Sequence, residues 1–251
     1  AGFFVVALRL PCTGVDLQAL FPLALARVQL QLDPLQLAQW MQEVIQLRGQ
    51  AQGNPEPGCA WTGDINGLWQ LHRQPLFEPL VAAVAEQAQA YIAALGFDQS
   101  QVELHIQRSW PVVSAPDQAI GRHHHPNAHL SAIVYLTGDG TGASGCLRLF
   151  APHNLNELVP GLAVGHGGPL QQQESAAQRW NAPWIDIPPS AGLLLLFPAA
   201  LDHAVTANTS SDEERLSIAF DLALTAPKGT VPPEYLAPHP SQWDSLRVEK
   251  S

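Results

Sequence analysis

Charge is scarce in this sequence, and positive charge scarcest of all. Charged residues make up 14% of the 251 positions, with 12 Lys and Arg against 22 Asp and Glu and a formal net charge of -10. Binding a phosphate backbone needs clustered Lys and Arg. No such cluster occurs, which argues against a nucleic-acid partner. An acidic surface also repels anionic membranes, yet it leaves room for a small anion held by one buried arginine. Cysteine is rare too. Cys12, Cys59 and Cys146 are far apart and odd in number, with no CxxC pair and no disulfide framework, so a cytoplasmic setting is expected. Long hydrophobic runs are missing. The apolar opening from Phe3 to Leu10 is too short for a bilayer, and it lacks the basic start and cleavage site of a secretory signal. It reads as a terminal strand or an arm packed on the body, and no membrane association is expected.

What is present is apolar bulk. Hydrophobic residues form 46% of the chain, enough for one sizeable core. No repeat or long polar linker divides it. The expectation is one domain over 1–251: an arm over 1–19, strand and helical support over about 20–100, a β core over about 101–224 and a tail over 225–251.

Helical signals come first. Asp33-Pro34 offers an N-cap and a proline at the first helical position, and Leu37, Trp40, Met41, Val44 and Ile45 follow at helical spacing up to Gly49. A second helix is predicted from about Leu76 to Leu95, with Leu80, Val84, Tyr91 and Leu95 on one side and Gly96 closing it. Between Arg27 and Leu32 the alternation is that of a strand. After Gly96 the texture changes. Val102, Leu104 and Ile106 alternate with polar residues up to Trp110. Short strands follow at about Leu130–Leu136, Cys146–Phe150, Trp184–Ile187, Leu193–Phe197 and Arg215–Leu224. This order predicts a mainly β fold with flanking helices, a jelly roll with N-terminal helices packed on its outside. The connection 151–183, with His153, His166 and Trp180 in it and Trp184 at its end, reads either as a lid or as ordinary surface.

Chemistry concentrates in three places. In Gly121-Arg-His-His-His-Pro126 an extended chain points His123 and His125 to one side and His124 to the other. Imidazoles so spaced form half of a metal site suited to iron, zinc, copper or nickel; alone, they are more often a polar strand end with solvated histidines. Beyond the apolar strand Gly192-Leu-Leu-Leu-Leu-Phe-Pro198 stands a lone His203, beside an Asp202 that would point away. In Arg215-Leu-Ser-Ile-Ala-Phe-Asp-Leu222, the side chains of Arg215, Ser217, Ala219 and Asp221 share one face. A guanidinium fork beside a hydroxyl matches a carboxylate, although Arg215 could instead pair at the surface with Glu213 or Glu214. His124 and His129 remain alternative ligands if the local chain is not extended.

Taken in order, His-x-His, a distant His and Arg-x-Ser resemble the Fe(II)/2-oxoglutarate-dependent oxygenase superfamily. The chain is most similar to the bacterial 2OG-Fe(II) oxygenase family with a His-x-His-Pro stretch and a Ser-Gly-x-x-Tyr strand, here His123-His-His-Pro126 and Ser131-Ala-Ile-Val-Tyr135. The resemblance runs from Leu20-Phe-Pro22 to about Leu224 and includes Trp61-Thr-Gly63 and Trp110. It implies a double-stranded β-helix in which His123, His125 and His203 hold Fe(II). It also implies 2-oxoglutarate as cosubstrate, its far carboxylate on Arg215 and Ser217, and dioxygen as oxidant. Succinate and CO2 would be released as a small metabolite, amino acid or peptidyl side chain is hydroxylated.

Three departures stand out. His125 occupies the place of the superfamily's usual carboxylate ligand. Leu149-Phe-Ala-Pro-His153 lacks the Asp-Pro-Arg-like run of relatives, and Ala132 replaces a glycine. Two other readings share the histidines: a three-histidine dioxygenase that uses no 2-oxoglutarate, and a non-catalytic jelly-roll metal- or ligand-binding protein. A structural zinc site fits poorly, because no cysteines stand at close spacing.

Overall fold

A computed structural model describes residues 7–9, 16–18, 23–53, 56–152 and 184–246. Near the start, β1 (Ala7–Arg9) and β2 (Asp16–Gln18) pair antiparallel, so part of the apolar opening is a strand, as expected. Next comes β3 (Ala26–Gln29), shorter than the alternation suggests. Then α1 runs over Pro34–Gln50, with Asp33 accepting the backbone N–H of Gln36 at 3.0 Å, a cap that satisfies one of the helix's orphan donors. Trp40 and Val44 are buried along it, whereas Ile45 is exposed.

After β4 (Trp61–Thr62) and three single 3-10 turns, the second helix α2 spans Glu78–Ala94. Leu80, Val84 and Tyr91 lie inside, but Leu95 stands outside because the helix stops one residue before it. Gly96 closes the end at φ 90°, a conformation costly for any residue with a Cβ. Two side-chain bonds lock the helices down: Trp40 Nε1 donates to Leu76 O at 2.9 Å and the Tyr91 hydroxyl to Ala24 O at 2.8 Å.

The remaining strands are β5 (Glu103–Ser114), β6 (Ile120–His123), β7 (Leu130–Tyr135), β8 (Leu147–Phe150), β9 (Trp184–Ile187), β10 (Leu193–Pro198), β11 (His203–Val205) and β12 (Arg215–Thr225). They form a six-stranded sheet in the order β3-β10-β7-β12-β5-β4 and a four-stranded sheet in the order β6-β11-β8-β9. All pairs in both are antiparallel. This is the expected jelly roll. β5 runs past Trp110 through Pro111, whose carbonyl accepts Gly63 N–H at 2.8 Å as β4 covers that stretch.

Burial explains the apolar texture. On β10, Leu194 and Leu196 join the core shared with α1 and α2, while Leu193, Leu195 and Phe197 join the core between the sheets. A strand covered on both faces loses its polar alternation. On β12 the even residues Leu216, Ile218, Phe220 and Leu222 also face the helices. The odd residues are left to face the space between the sheets, and that is where the chemistry lies. Among the described residues no helix is long and apolar enough to cross a membrane. Of the 151–183 connection, residues 153–183 lie outside the described residues, and His153, His166 and Trp180 with them.

Candidate metal and cosubstrate site

Between the sheets lies a cavity of about 290 Å³, walled by β5, β7 and β12 on one side and by β6, β8 and β11 on the other. His123, His125 and His203 meet at it. Their candidate ligand atoms all lie within 4.8 Å of one another, and their ring centroids are 4.2 to 5.3 Å apart. Sheet register explains two of them, because His203 on β11 sits directly opposite His123 on β6. The third is placed differently. β6 ends at His123, and His125 is steered by a backbone N–H donated to Ala199 O at 2.9 Å.

Each ring has one nitrogen tied down. Nδ1 of His123 lies 2.8 Å from Gly121 O, Nδ1 of His203 lies 2.9 Å from Leu201 O, and Nδ1 of His125 lies 2.5 Å from Asp221 Oδ1. Carbonyl and carboxylate oxygens only accept, so each Nδ1 carries the proton and each Nε2 keeps its lone pair. Metal-binding histidines are held in this way. Burial pushes the pKa of His203 down to about 3, with the neighbouring His123 adding to the effect. Burial likewise lowers that of His123, with Gly121 O opposing. Both rings thus stay neutral, the form a cation needs.

The alternative histidines are not brought in. His124 is exposed and pairs with Asp202 at 3.0 Å, and Asp202 also takes the Nε of Arg122 at 2.8 Å, pointing away from the site as the alternation suggests. His129 Nδ1 accepts the Leu224 N–H at 3.1 Å, a backbone-satisfying role. Glu103, His105 and His239 also gather candidate ligand atoms, but with different chemistry. His239 Nδ1 accepts Ser241 N–H at 3.1 Å, which puts its proton on Nε2. Thr225 donates its hydroxyl to Ala226 O, so His105 Nε2, at 2.8 Å from that hydroxyl, is a donor as well. Their Nε2 lone pairs are not free.

Deeper in the cavity stands Arg215, 1% exposed. It is not a surface ion pair, since Glu214 bonds Arg48 instead. Arg215 Nη1 donates to Ser144 O at 3.1 Å and Gly145 O at 3.3 Å, while Nε has no partner. Burial pulls its pKa below the ordinary arginine value. Such a cation is stabilised by any carboxylate that reaches it. Ser217 lines the same cavity two residues along, directly opposite Tyr135 on β7. Burial pushes Tyr135 up to about 12 against the pull of Arg215, leaving a phenol able to donate.

Several residues at or beside the cavity have no role assigned from the sequence. Asp221 shares the Arg215 and Ser217 face, so the alternation itself was the signal. Ser131 and Tyr135 alternate on β7. Arg108, which donates to Asp64 at 2.6 Å and lies over the Trp110 ring at 4.9 Å, becomes visible only when β5 is paired with β12.

Residues 108–221 match the model of the family described as "Putative 2OG-Fe(II) oxygenase". That stretch holds all three histidines, Arg215 and Ser217. Over that stretch, a little under half of its length, the chain is similar to the 2OG-Fe(II) oxygenases. Solved structures share the fold of this chain. The epimerase SnoN from nogalamycin biosynthesis matches at 19% identity and TM-score 0.52, over 90% of this chain and 89% of its own. A prolyl-4-hydroxylase from Pseudomonas putida matches at 15% and 0.51, over 80% and 93%. HygX from Streptomyces hygroscopicus, solved with nickel and 2-oxoglutarate, matches at 14% and 0.50, over 82% and 84%. No curated protein matches this sequence.

Proposed function

We propose that this chain is an Fe(II)- and 2-oxoglutarate-dependent dioxygenase that hydroxylates a small metabolite, an amino acid or a peptidyl side chain. His123, His125 and His203 hold the iron through Nε2. Arg215 receives the far carboxylate of 2-oxoglutarate, and Ser217 donates beside it. The observation carrying this reading is the shared orientation of the three rings, each Nδ1–H given to an acceptor and each Nε2 left with its lone pair. The second support is the buried Arg215 with an unpartnered Nε.

The donor set suits a first-row divalent metal. With iron and cosubstrate bound, dioxygen is reduced, 2-oxoglutarate goes to succinate and CO2, and one oxygen atom is delivered to the substrate. The chain's own part is binding and exclusion. Arg215 and Ser217 fix one end of the dicarboxylate, with the Tyr135 phenol beside them. Leu147 and Val205, with Val112, Ile120 and Ile133, belong to the apolar part of the cavity wall and keep water from the reacting end.

An anaerobic titration tests the proposal. Fe(II) and 2-oxoglutarate together should give a weak metal-to-ligand visible band. Arg215→Ala should abolish or strongly weaken the 2-oxoglutarate step while metal still binds, and His203→Ala should weaken metal binding itself. Metal-loaded protein that binds no 2-oxoglutarate would sink the reading in favour of a three-histidine site without cosubstrate. Succinate formation under dioxygen supports it even without a substrate.

A further inference from the structure

Three neutral imidazoles leave a divalent cation more positive than two histidines and a carboxylate do. We infer that Asp221 supplies the missing negative charge from behind the ligand set, as a positioning residue that acts on the metal through the ring of His125. This rests on the reading that His125 is a ligand.

The three rings are not held alike. His123 and His203 each give Nδ1–H to a neutral carbonyl two residues earlier in the chain. His125 gives its own to a carboxylate from another strand, 96 residues away, at 2.5 Å. Ser131 Oγ stands 3.2 Å from the same nitrogen, so the ring is gripped from β12 and β7 together. Asp221 is 4% exposed, with little water to weaken the contact. A charge-assisted bond of this kind is about twice as strong as a neutral one. It fixes the tautomer, sets the ring's direction and raises the basicity of the opposite nitrogen. The backbone needs this help, since His125 lies beyond the end of β6 and no ladder orients it.

A rival role for Asp221 is to pair with Arg108 and shape the cavity mouth. Geometry disfavours it. Arg108 Nη1 is 3.8 Å from Asp221 Oδ2, whereas its short bond, at 2.6 Å, goes to Asp64. Asp221 spends its close contact on His125.

The test is Co(II) binding to the full chain without 2-oxoglutarate, read by the cobalt ligand-field spectrum, with thermal melting of each metal-free variant. Asp221→Asn keeps an oxygen that can accept from His125 but removes the charge. Asp221→Ala removes both. Arg108→Ala removes the rival contact and leaves His125 untouched. Co(II) affinity should fall about 10-fold for Asp221→Asn and toward about 100-fold for Asp221→Ala, with an altered spectrum and with Arg108→Ala like wild type. Wild-type affinity in both Asp221 variants overturns the inference. If wild-type protein and His203→Ala bind Co(II) equally poorly, the three-histidine site itself fails, and this proposal with it. Should an Asp221 variant not fold, nitrogen-15 NMR of the wild-type imidazoles decides. His125 protonated on Nδ1 supports the assignment, and His125 protonated on Nε2 overturns it.

Discussion

An imidazole can hold a metal only through a nitrogen without a proton, so the partner of the other nitrogen decides what a histidine does. His123 and His203 find that partner locally, in the carbonyls of Gly121 and Leu201. Their burial has a consequence for stability. The unfolded chain takes a proton on His203 near the ordinary value of 6.5, but the folded chain resists it down to about 3. Between those values the unfolded state binds more protons, so stability falls as pH falls through the window and levels off above 6.5. His123 adds in the same direction. Denaturant midpoints of metal-free protein should therefore drop as pH is lowered from about 6.5, and His203→Gln should flatten the slope. A midpoint that rises on acidification would contradict the buried neutral ring.

Among the elements, β12 and the turn that meets it matter most. The even residues of β12 pack on the helices and its odd residues Arg215, Ser217 and Ala219 enter the cavity, a division readable from period-two alternation alone. The turn before β8 does the rest. Gly145 has φ 90°, and a Cβ there would lie 2.7 Å from Arg215 Nη1 and 2.4 Å from Thr206 O. Gly145→Ala should therefore destabilise the fold by at least about 1–2 kcal/mol from the backbone alone. It should also push the guanidinium aside, weakening 2-oxoglutarate binding more than metal binding. Calorimetry with each ligand separates the two effects. Equal losses for both would mean that the turn supports the barrel as a whole and does not position Arg215.

The elements also show where sequence reading stops. Both helices, both faces of β10 and the span of β12 were legible, because burial imposes periods that neighbouring residues reveal. The exposed Ile45 and Leu95 were misplaced. A helical stripe is wider in pattern than in contact, and only the packing partner trims it. The roles of Arg108 and Asp221 depend on register, which includes a shift at Asp221/Leu222 against β5 that no local pattern signals.

At the scale of the whole molecule, two sheets close on a cavity with three histidines at one end and a buried guanidinium at the other. Both ends are assembled only in the folded chain, so their ligands stabilise it by mass action. Metal should raise the melting temperature, and 2-oxoglutarate should raise it further in metal-loaded protein. A ligand at 100 times its Kd contributes about 2.7 kcal/mol. Chelation should reverse both gains, and Arg215→Ala should lose the second alone. A 2-oxoglutarate effect that survives chelation undiminished would separate its site from the metal. The net charge of -10 does not oppose this, because one buried guanidinium sets the potential at the place proposed for the anion.

What the sequence determined by itself was the chemistry on offer, His123 and His125 included, and for β12 the face it stood on: Arg215 with Ser217 and Asp221. Side chains two apart on an extended chain point together whatever the rest of the molecule does. Tertiary structure alone decided which faces met. Pairing of β11 with β6 set His203 opposite His123, and β12 laid Asp221 against His125 across 96 residues. Such distances are closed by strand register and two-sided burial, which belong to the whole sheet and to no single segment.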